Sequence, residues 1–322
     1  MPHQLRPDAA SATRRARRPQ RVLLTGGAGF MGSSVARALV DAGHEVVVLD
    51  ALTYAGRREH LQGVAVELVV GDVADPLCVQ PLVDAADLVV HMAAESHVDR
   101  SVRDTRPFVR TNIDGTRVVL ETCQMSGNKP IYHVSTDEVF GSAPAGVFFG
   151  ERDPLRPGNP YAATKAAAEC LIEAWRHTFG LDTRIIRCTN NYGRRQHPEK
   201  ALVGWIQRAL RGEALPVHGE GAAVRDWLHV DDFAAAILAI LDYEGERRTF
   251  HLAGRNPRTN LEMAELIRSL IGSGRLVFVP DRPGQDARYA LDDAHTRADL
   301  GWAPRVPLAD GLRELIDSMR RR

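Results

Sequence analysis

The 322-residue chain predicts an α/β fold, a doubly wound parallel sheet with a smaller C-terminal lobe. Three observations carry this. Short apolar runs alternate with helical stretches through the first half. A glycine-rich turn joins the first such run to the first helix. The alternation loosens after about Tyr192.

Residues 22–25 read as a short buried strand, followed by a helix over 30–42 that Gly43 stops. Strands follow over 46–49, 66–70 and 88–91. A long helical stretch runs over 107–126 and ends at Gly127. A fifth strand over 131–135, a helix over 161–179 and a sixth strand over 183–187 complete the series. Strands joined by helices in this order imply a parallel sheet covered on both faces, with ligands outside the carboxyl ends of the strands. Beyond Tyr192, helical pieces over 201–211, 231–243 and 261–271 alternate with Gly- and Pro-containing loops. The chain is expected to divide into an extension over 1–20, a nucleotide-binding domain over 21–192 and a lobe over 193–322 that shares a core with it. No repeat at solenoid spacing is visible.

Hydrophobic residues make up 44%, ample for a core, and 41 Lys+Arg balance 41 Asp+Glu. That balance gives no electrostatic reason to expect nucleic acid or an anionic membrane as partner. No apolar run approaches the roughly 20 residues of a membrane span. Cys78, Cys123, Cys170 and Cys188 form no Cys-x-x-Cys pair, so buried thiols are expected and no metal site. Residues 1–20 are rich in Arg, Ala and Pro, have no hydrophobic period and lead into no apolar signal region. They read as a disordered extension of a cytoplasmic protein, with an electrostatic contact to something acidic as the alternative.

Between the first strand and helix lies Thr25-Gly-Gly-Ala-Gly-Phe-Met-Gly32. Gly27, Gly29 and Gly32 satisfy G-x-G-x-x-G, and Gly26 gives the overlapping G-x-x-G-x-x-G. Such glycines make a tight turn, let backbone amides reach a pyrophosphate and allow close helix–strand contact, while the helix dipole meets the phosphate charge. The strand before it, the helix after it and an acid at the end of strand two make this a Rossmann dinucleotide site. That acid, Asp50, suits both adenosine ribose hydroxyls and repels a 2′-phosphate, which favours NAD over NADP; the alternative is a turn cap. Asp72 ends strand three, where it reaches the adenine edge or simply closes a turn. Small residues in His91-Met-Ala-Ala94 let backbone lie against the cofactor.

Tyr161 and Lys165 form Tyr-x-x-x-Lys at a helix start, which puts both side chains on one face. The ammonium of Lys165 is expected to lower the phenol pKa, so that Tyr161 acts as a base near neutrality. Just before it, Ser135-Thr-Asp-Glu-Val-Phe-Gly141 ends strand five. Two adjacent acids resist ionising together, so one keeps a proton while the other is charged. Elimination of water needs such an acid and such a base. A solvated turn is the alternative.

The chain resembles the extended short-chain dehydrogenase/reductase superfamily and, within it, the dTDP-glucose 4,6-dehydratase family. The matching segments are TGGAGFMGS (25–33), DALTYAGR (50–57), HMAAESHVDRS (91–101), STDEVFG (135–141) and NPYAATKAAAE (159–169). They continue with TNNYGRRQHPEK (189–200), RDWLHVDD (225–232) and RPGQDARYALD (282–292). The Thr-Asp-Glu triplet distinguishes this family from 4-epimerases and decarboxylases.

The resemblance implies a three-step cycle. Tyr161 takes the proton of the sugar 4-hydroxyl as NAD oxidises C4. Glu138 removes the acidified C5 proton and Asp137 protonates the departing 6-hydroxyl. Reduction at C6 then gives a 4-keto-6-deoxy sugar nucleotide. Thr136 would hydrogen-bond the sugar near C4 and help activate Tyr161, and Lys165 would also hold the nicotinamide ribose. NAD contacts would fall to Gly26, Gly29, Phe30, Met31, Gly32, Asp50, Leu52, Thr53, Asp72, Val73, Ala93, Ala94 and Ser96, with Tyr161 and Lys165. The nucleotide sugar would meet Ser96, Asn190, Lys200, His218, Arg225, Asn256 and Tyr289, with Asn190 and Arg225 on the diphosphate. For Arg225 the alternative is an ion pair with Asp226 or Asp231. The resemblance also implies a homodimer pairing the helices near 107–126 and 161–179.

The chain departs from the family pattern at His218, where an aromatic residue usually stacks on thymine. It departs also at Ala201-Leu-Val203, at Gln285 in place of His, and at Arg194-Arg195-Gln196-His197. All lie in the nucleotide and sugar pocket. They bear on the base and the hexose, leaving UDP-linked or N-acetylhexosamine substrates as alternatives, and not on the chemistry. A 4-epimerase using Tyr161 and Lys165 alone would leave Asp137 and Glu138 unexplained. A non-enzymatic NAD sensor would not need the tyrosine or the acids.

Overall fold

The structure, a computed structural model, describes residues 19–281 and 284–321. The expected N-terminal extension falls outside the described residues except for its last two positions. In chain order the strands and helices are β1 (Arg21–Thr25), α1 (Phe30–Asp41), β2 (Glu45–Asp50), β3 (Val66–Val70), α2 (Pro76–Ala85), β4 (Leu88–His91), α3 (Val98–Arg103), α4 (Arg106–Phe108), α5 (Gly115–Met125), β5 (Ile131–Thr136), α6 (Pro160–Phe179) and β6 (Thr183–Cys188). They continue as β7 (Asn190–Tyr192), α7 (Ala201–Leu210), β8 (Ala214–His218), β9 (Val224–His229), α8 (Val230–Leu241), β10 (Thr249–Leu252), β11 (Pro257–Thr259), α9 (Asn260–Ile271), β12 (Arg275–Val279), α10 (Ala294–Leu300) and α11 (Leu308–Arg320).

Seven strands form the main sheet in the order β10-β6-β5-β4-β1-β2-β3, every neighbouring pair parallel. The order reverses between β1 and β4, which opens a crevice at their carboxyl ends. All residues of β4, β5 and β6 are buried, as strands covered on both faces require. On one face Leu24, Val35 and Leu39 pack with Phe233, Ile237 and Phe250. On the other, Leu23 and Val47 pack with Val79, Val119 and Ile172. A third cluster, including Tyr192, Trp205, Val217, Met263 and Leu312, fills the C-terminal lobe.

The structure differs from the sequence expectation in two places that matter. The helix expected over 107–126 is interrupted by a π-turn at Val109–Asp114. The wider turn seats Asn112, whose carboxamide accepts from the Glu95 amide at 2.9 Å and donates to the Glu95 carbonyl and the Thr164 hydroxyl. Second, the seventh sheet strand, β10, comes from beyond residue 192, and α8 packs against α1 from the same stretch. β10 reads Thr-Phe-His-Leu, without the Leu-Val-Val run that marks β4, which hid it from the sequence. Helix α2 was hidden by Pro76 at its start and Pro81 within it.

Candidate active site

A cleft of about 450 Å³ opens where the sheet order reverses, with walls running from Gly26 to Tyr289. At its β1 end the glycines are fixed by space. Gly26 has φ 71°, and a Cβ there would sit 2.7 Å from the Ala93 nitrogen. A Cβ on Gly32 would strike the Gly26 carbonyl oxygen. Gly27 packs on Val48 and takes no part in the cleft wall. Gly29 lines the cleft, and as the N-cap of α1 it offers no side chain to the helix. The first-turn amides are thus left for a phosphate.

Asp50 is both things the sequence allowed. Its Oδ2 accepts from the Ala28 amide at 2.9 Å and its Oδ1 from the Leu52 amide at 2.8 Å. Each oxygen keeps a lone pair for a ribose hydroxyl. Burial raises the carboxyl pKa, opposed by those two amides. Leu52 serves through its backbone, at φ 50°, and does not line the cleft. Asp72 accepts from the Ala74 amide at 2.9 Å and pairs with Arg110 at 2.9 Å, while still facing the cleft. Phe30, Met31, Thr53, Val73, Ala93, Ala94 and Ser96 line the wall. A turn closed to side chains, free helix amides and a carboxylate with spare acceptors fit NAD.

At the far end, the end of β5 and the 3-10 turn after it deliver Thr136, Asp137 and Glu138, and the first two turns of α6 deliver Tyr161 and Lys165. Asn159 starts α6 by accepting from the Ala162 amide at 2.9 Å, and Pro160 follows it. The other end of the same carboxamide donates to Glu138 Oε2 at 3.1 Å. Tyr289 donates its phenol proton toward Glu138 Oε2 at 3.3 Å or Asp286 Oδ2 at 2.9 Å. Asp137 is 3% exposed, and its Oδ2 has no hydrogen-bond partner among the described residues. Burial first, then the charge of Glu138, hold its pKa well above the usual carboxylate range. Thr136 donates to Asp137 Oδ1 at 3.1 Å. Asp137 is therefore not part of a solvated turn, while Glu138 is half-buried.

Tyr161 corrects one expectation. Burial and the neighbouring Glu138 push its phenol well above the ordinary tyrosine range, and only the Thr136 hydroxyl bond pulls the other way among the main influences. Lys165 Nζ instead reaches the His133 Nε2 at 2.9 Å and the Val134 carbonyl oxygen at 2.7 Å. Burial lowers the Lys165 pKa to about 8. An ammonium occupied by the sheet behind it does less for the phenol than its spacing along the helix promises.

On the lobe side, Asn190, Lys200, Arg225, Gln285 and Tyr289 line the cleft. Lys200 Nζ donates to the Ser96 carbonyl at 3.0 Å. Arg225 pairs with neither Asp226 nor Asp231. It donates to the Val224 and Asp286 carbonyls, and its guanidinium lies 4.2 Å from the Tyr289 ring centre. Asp226 is spent on the backbone amides of Gly254, Arg255 and Asn256. Two expected contacts are not brought to the wall. Asn256 turns its carboxamide onto the Trp227 and Gly254 carbonyls, and the His218 ring meets the Pro280 carbonyl at 2.9 Å. Sequence reasoning missed Asn159, Cys188 and Thr189, which also line the cleft. An Asn directly before the Pro of a helix start was the available signal for the first.

A family model described as the NAD dependent epimerase/dehydratase family matches residues 22–253. The dTDP-glucose 4,6-dehydratase of Streptomyces niveus is 44% identical over 93% of each chain. The low-salt glycan biosynthesis protein Agl12 of Haloferax volcanii is 45% identical, over 92% of this chain and 97% of its own. Among solved structures, DesIV, a dTDP-glucose 4,6-dehydratase from Streptomyces venezuelae with NAD bound, matches with a TM-score of 0.90 and 40% identity, covering 94% of this chain and 97% of its own. A UDP-glucose 4-epimerase from Thermus thermophilus, also with NAD, matches with a TM-score of 0.87 at 31% identity, covering 94% and 99%.

Proposed function

Because the chain belongs to the NAD dependent epimerase/dehydratase family, and within it to the dTDP-glucose 4,6-dehydratases, we propose that its cleft converts dTDP-glucose to the 4-keto-6-deoxy sugar nucleotide. NAD, when bound, supplies the oxidant for C4 and the reductant for C6. Gly26, Gly29, Gly32 and Asp50 hold it, by the amides and carboxylate already described. The substrate diphosphate meets Asn190 and Arg225, and the sugar reaches toward Thr136 and Tyr161. Tyr161 takes the 4-hydroxyl proton as its phenolate, the form that the Thr136 hydroxyl bond favours against burial.

The pair at the end of β5 then does the elimination. Glu138 removes the C5 proton made acidic by the new 4-ketone. Asp137 gives its proton to the departing 6-hydroxyl, which leaves as water. The observation that supports these roles is the contrast of environments, with the Asp137 carboxyl buried and its pKa raised while Glu138 accepts from Asn159 and faces the Tyr289 hydroxyl. A 4-epimerase needs neither acid. The test is turnover of dTDP-glucose in deuterated water. Solvent deuterium at C5 with loss of the C6 oxygen supports the dehydratase, and epimerised sugar without C5 exchange overturns it.

We also propose a homodimer in the cytoplasm. Met125 at the end of α5 is 74% exposed and Phe179 at the end of α6 is 44% exposed, apolar ends of the two helices expected to pair. Four free cysteines suit a reducing compartment. Light scattering at micromolar concentration decides the first, and a monomeric mass overturns it.

A further inference from the structure

Behind the catalytic helix, two buried histidines lie side by side on neighbouring strands, His91 on β4 and His133 on β5, with ring centres 5.2 Å apart. Neither lines the cleft. Their protonation patterns follow from counting donors. Thr25 Oγ1 receives the Met92 and Ala93 amides, both at 3.1 Å. Its own proton therefore goes to His91 Nδ1 at 2.7 Å. Thr116 Oγ1 donates to the Asn112 carbonyl at 2.7 Å, so its contact with His91 Nε2 at 3.1 Å is one it accepts. His91 is neutral with the proton on Nε2.

His133 is the opposite. A charged Lys165 has three N–H groups and no lone pair, so the His133 Nε2 facing it at 2.9 Å must accept. The ring proton then sits on Nδ1, a buried atom with no partner among the described residues. An unsatisfied buried N–H is costly and calls for a reason.

We infer that His133 is the positioning residue that keeps Lys165 charged and aimed, its neutral ring taking one ammonium N–H while the Val134 carbonyl takes a second and the third is left for the cleft. This rests on the reading of Tyr161 and Lys165 as the catalytic pair. Every titratable group around the ammonium fits. Glu169, one turn along α6, favours the charge but is itself engaged by Arg187 from β6 at 2.7 Å. Cys188, also on β6, is a thiol whose pKa burial raises. Burial and Glu138 raise the Tyr161 phenol, so it offers the ammonium no charge until it ionises. Burial and Lys165 drive the His133 pKa well down, and burial drives that of His91 to about 3, so neither ring competes for the proton. Replacing His133 by an imidazolium, or by a ring with Nε2 protonated, would set donor against donor.

The test uses the full-length enzyme with NAD and dTDP-glucose. His133→Phe removes the acceptor, so the alkaline loss of kcat, expected near pH 8 from Lys165, moves down by on the order of one pH unit. His133→Gln, which restores an acceptor oxygen, returns the limb toward its wild-type position. A uniform fall of kcat in both variants with an unmoved limb overturns the proposal. A second measurement needs neither a variant nor turnover. Nitrogen-15 spectra of the wild-type enzyme, with the ring signals assigned to residues, should show His91 protonated on Nε2 and His133 on Nδ1, neither titrating between about pH 6 and 9. The same tautomer at His91 and His133, or titration of His133, overturns it, and does so whatever reaction the cleft performs.

Discussion

Asp137 and Glu138 are consecutive in the chain and occupy opposite electrostatic worlds. The first is sealed off, with one oxygen bonded by Thr136 and the other without a partner among the described residues. The second is held at one oxygen by Asn159, with the Tyr289 hydroxyl shared between it and Asp286. One peptide unit separates a buried carboxyl whose pKa is raised from a half-buried one that accepts the Asn159 carboxamide.

That separation predicts two distinct defects. Glu138→Gln should still oxidise C4, so bound nicotinamide becomes reduced, while elimination slows by about 10²–10⁴-fold. Rapid quench should then trap the 4-keto hexose. Unchanged product formation removes Glu138 as the base.

Asp137→Asn should have an opposite signature in stability. The folded pKa of Asp137 lies above its unfolded value, so the folded state binds the extra proton. Its contribution is therefore intact at low pH and lost as pH rises from the unfolded value through the raised folded one. The amide variant, which never ionises, should melt higher than the parent at neutral pH and equally at pH values below the ordinary carboxylate range. Equal melting at both would mean that Asp137 is not held protonated. The same variant should eliminate slowly, by about 10²-fold or more.

Gly32→Ala places a methyl against the Gly26 carbonyl, so the phosphate turn must shift. NAD affinity should fall at least about tenfold, roughly 1.4 kcal/mol. Titration of the apoenzyme with NAD, followed by tryptophan fluorescence, measures it. Wild-type affinity would show that the turn has slack.

The Arg187–Glu169 ion pair is nearly fully buried on both sides, at 7% and 2% exposure, with bonds of 2.7 and 3.1 Å. Glu169→Gln leaves a buried guanidinium unpaired and should cost on the order of 3–5 kcal/mol. Denaturant unfolding reads this directly. Loss under 1 kcal/mol would mean that the Glu151 carbonyl and His251, which already contact Arg187, suffice to hold it.

The fold was legible because its signals are local. Residues 66–70 and 88–91 are strands in the structure as in the sequence, and the glycine turn sits at the crevice. That Thr136, Asp137, Glu138, Tyr161 and Lys165 share one cleft was legible for the same reason, each lying near the end of a strand or the start of a helix. What stayed hidden depends on partners distant in sequence. Lys165 looked like the neighbour of Tyr161, yet its ammonium turns to His133, 32 positions earlier. His218 and Asn256 matched family positions, yet Pro280 and Trp227 supply nearer carbonyls. Spacing along one helix fixes which faces agree, and only the packed sheet decides which atoms meet.

The seventh strand has a consequence for how the molecule is made. A ribosome emits β6 long before β10, so during synthesis β6 waits as an open edge. In that interval Arg187 has Glu169 but not His251, which arrives with β10 and contacts it at 3.1 Å. The nascent chain must carry an unfinished border through the whole of β7 to α8 before it is sealed. A release at residue 192 would leave that border permanently bare, ready to pair with any other chain in the same condition.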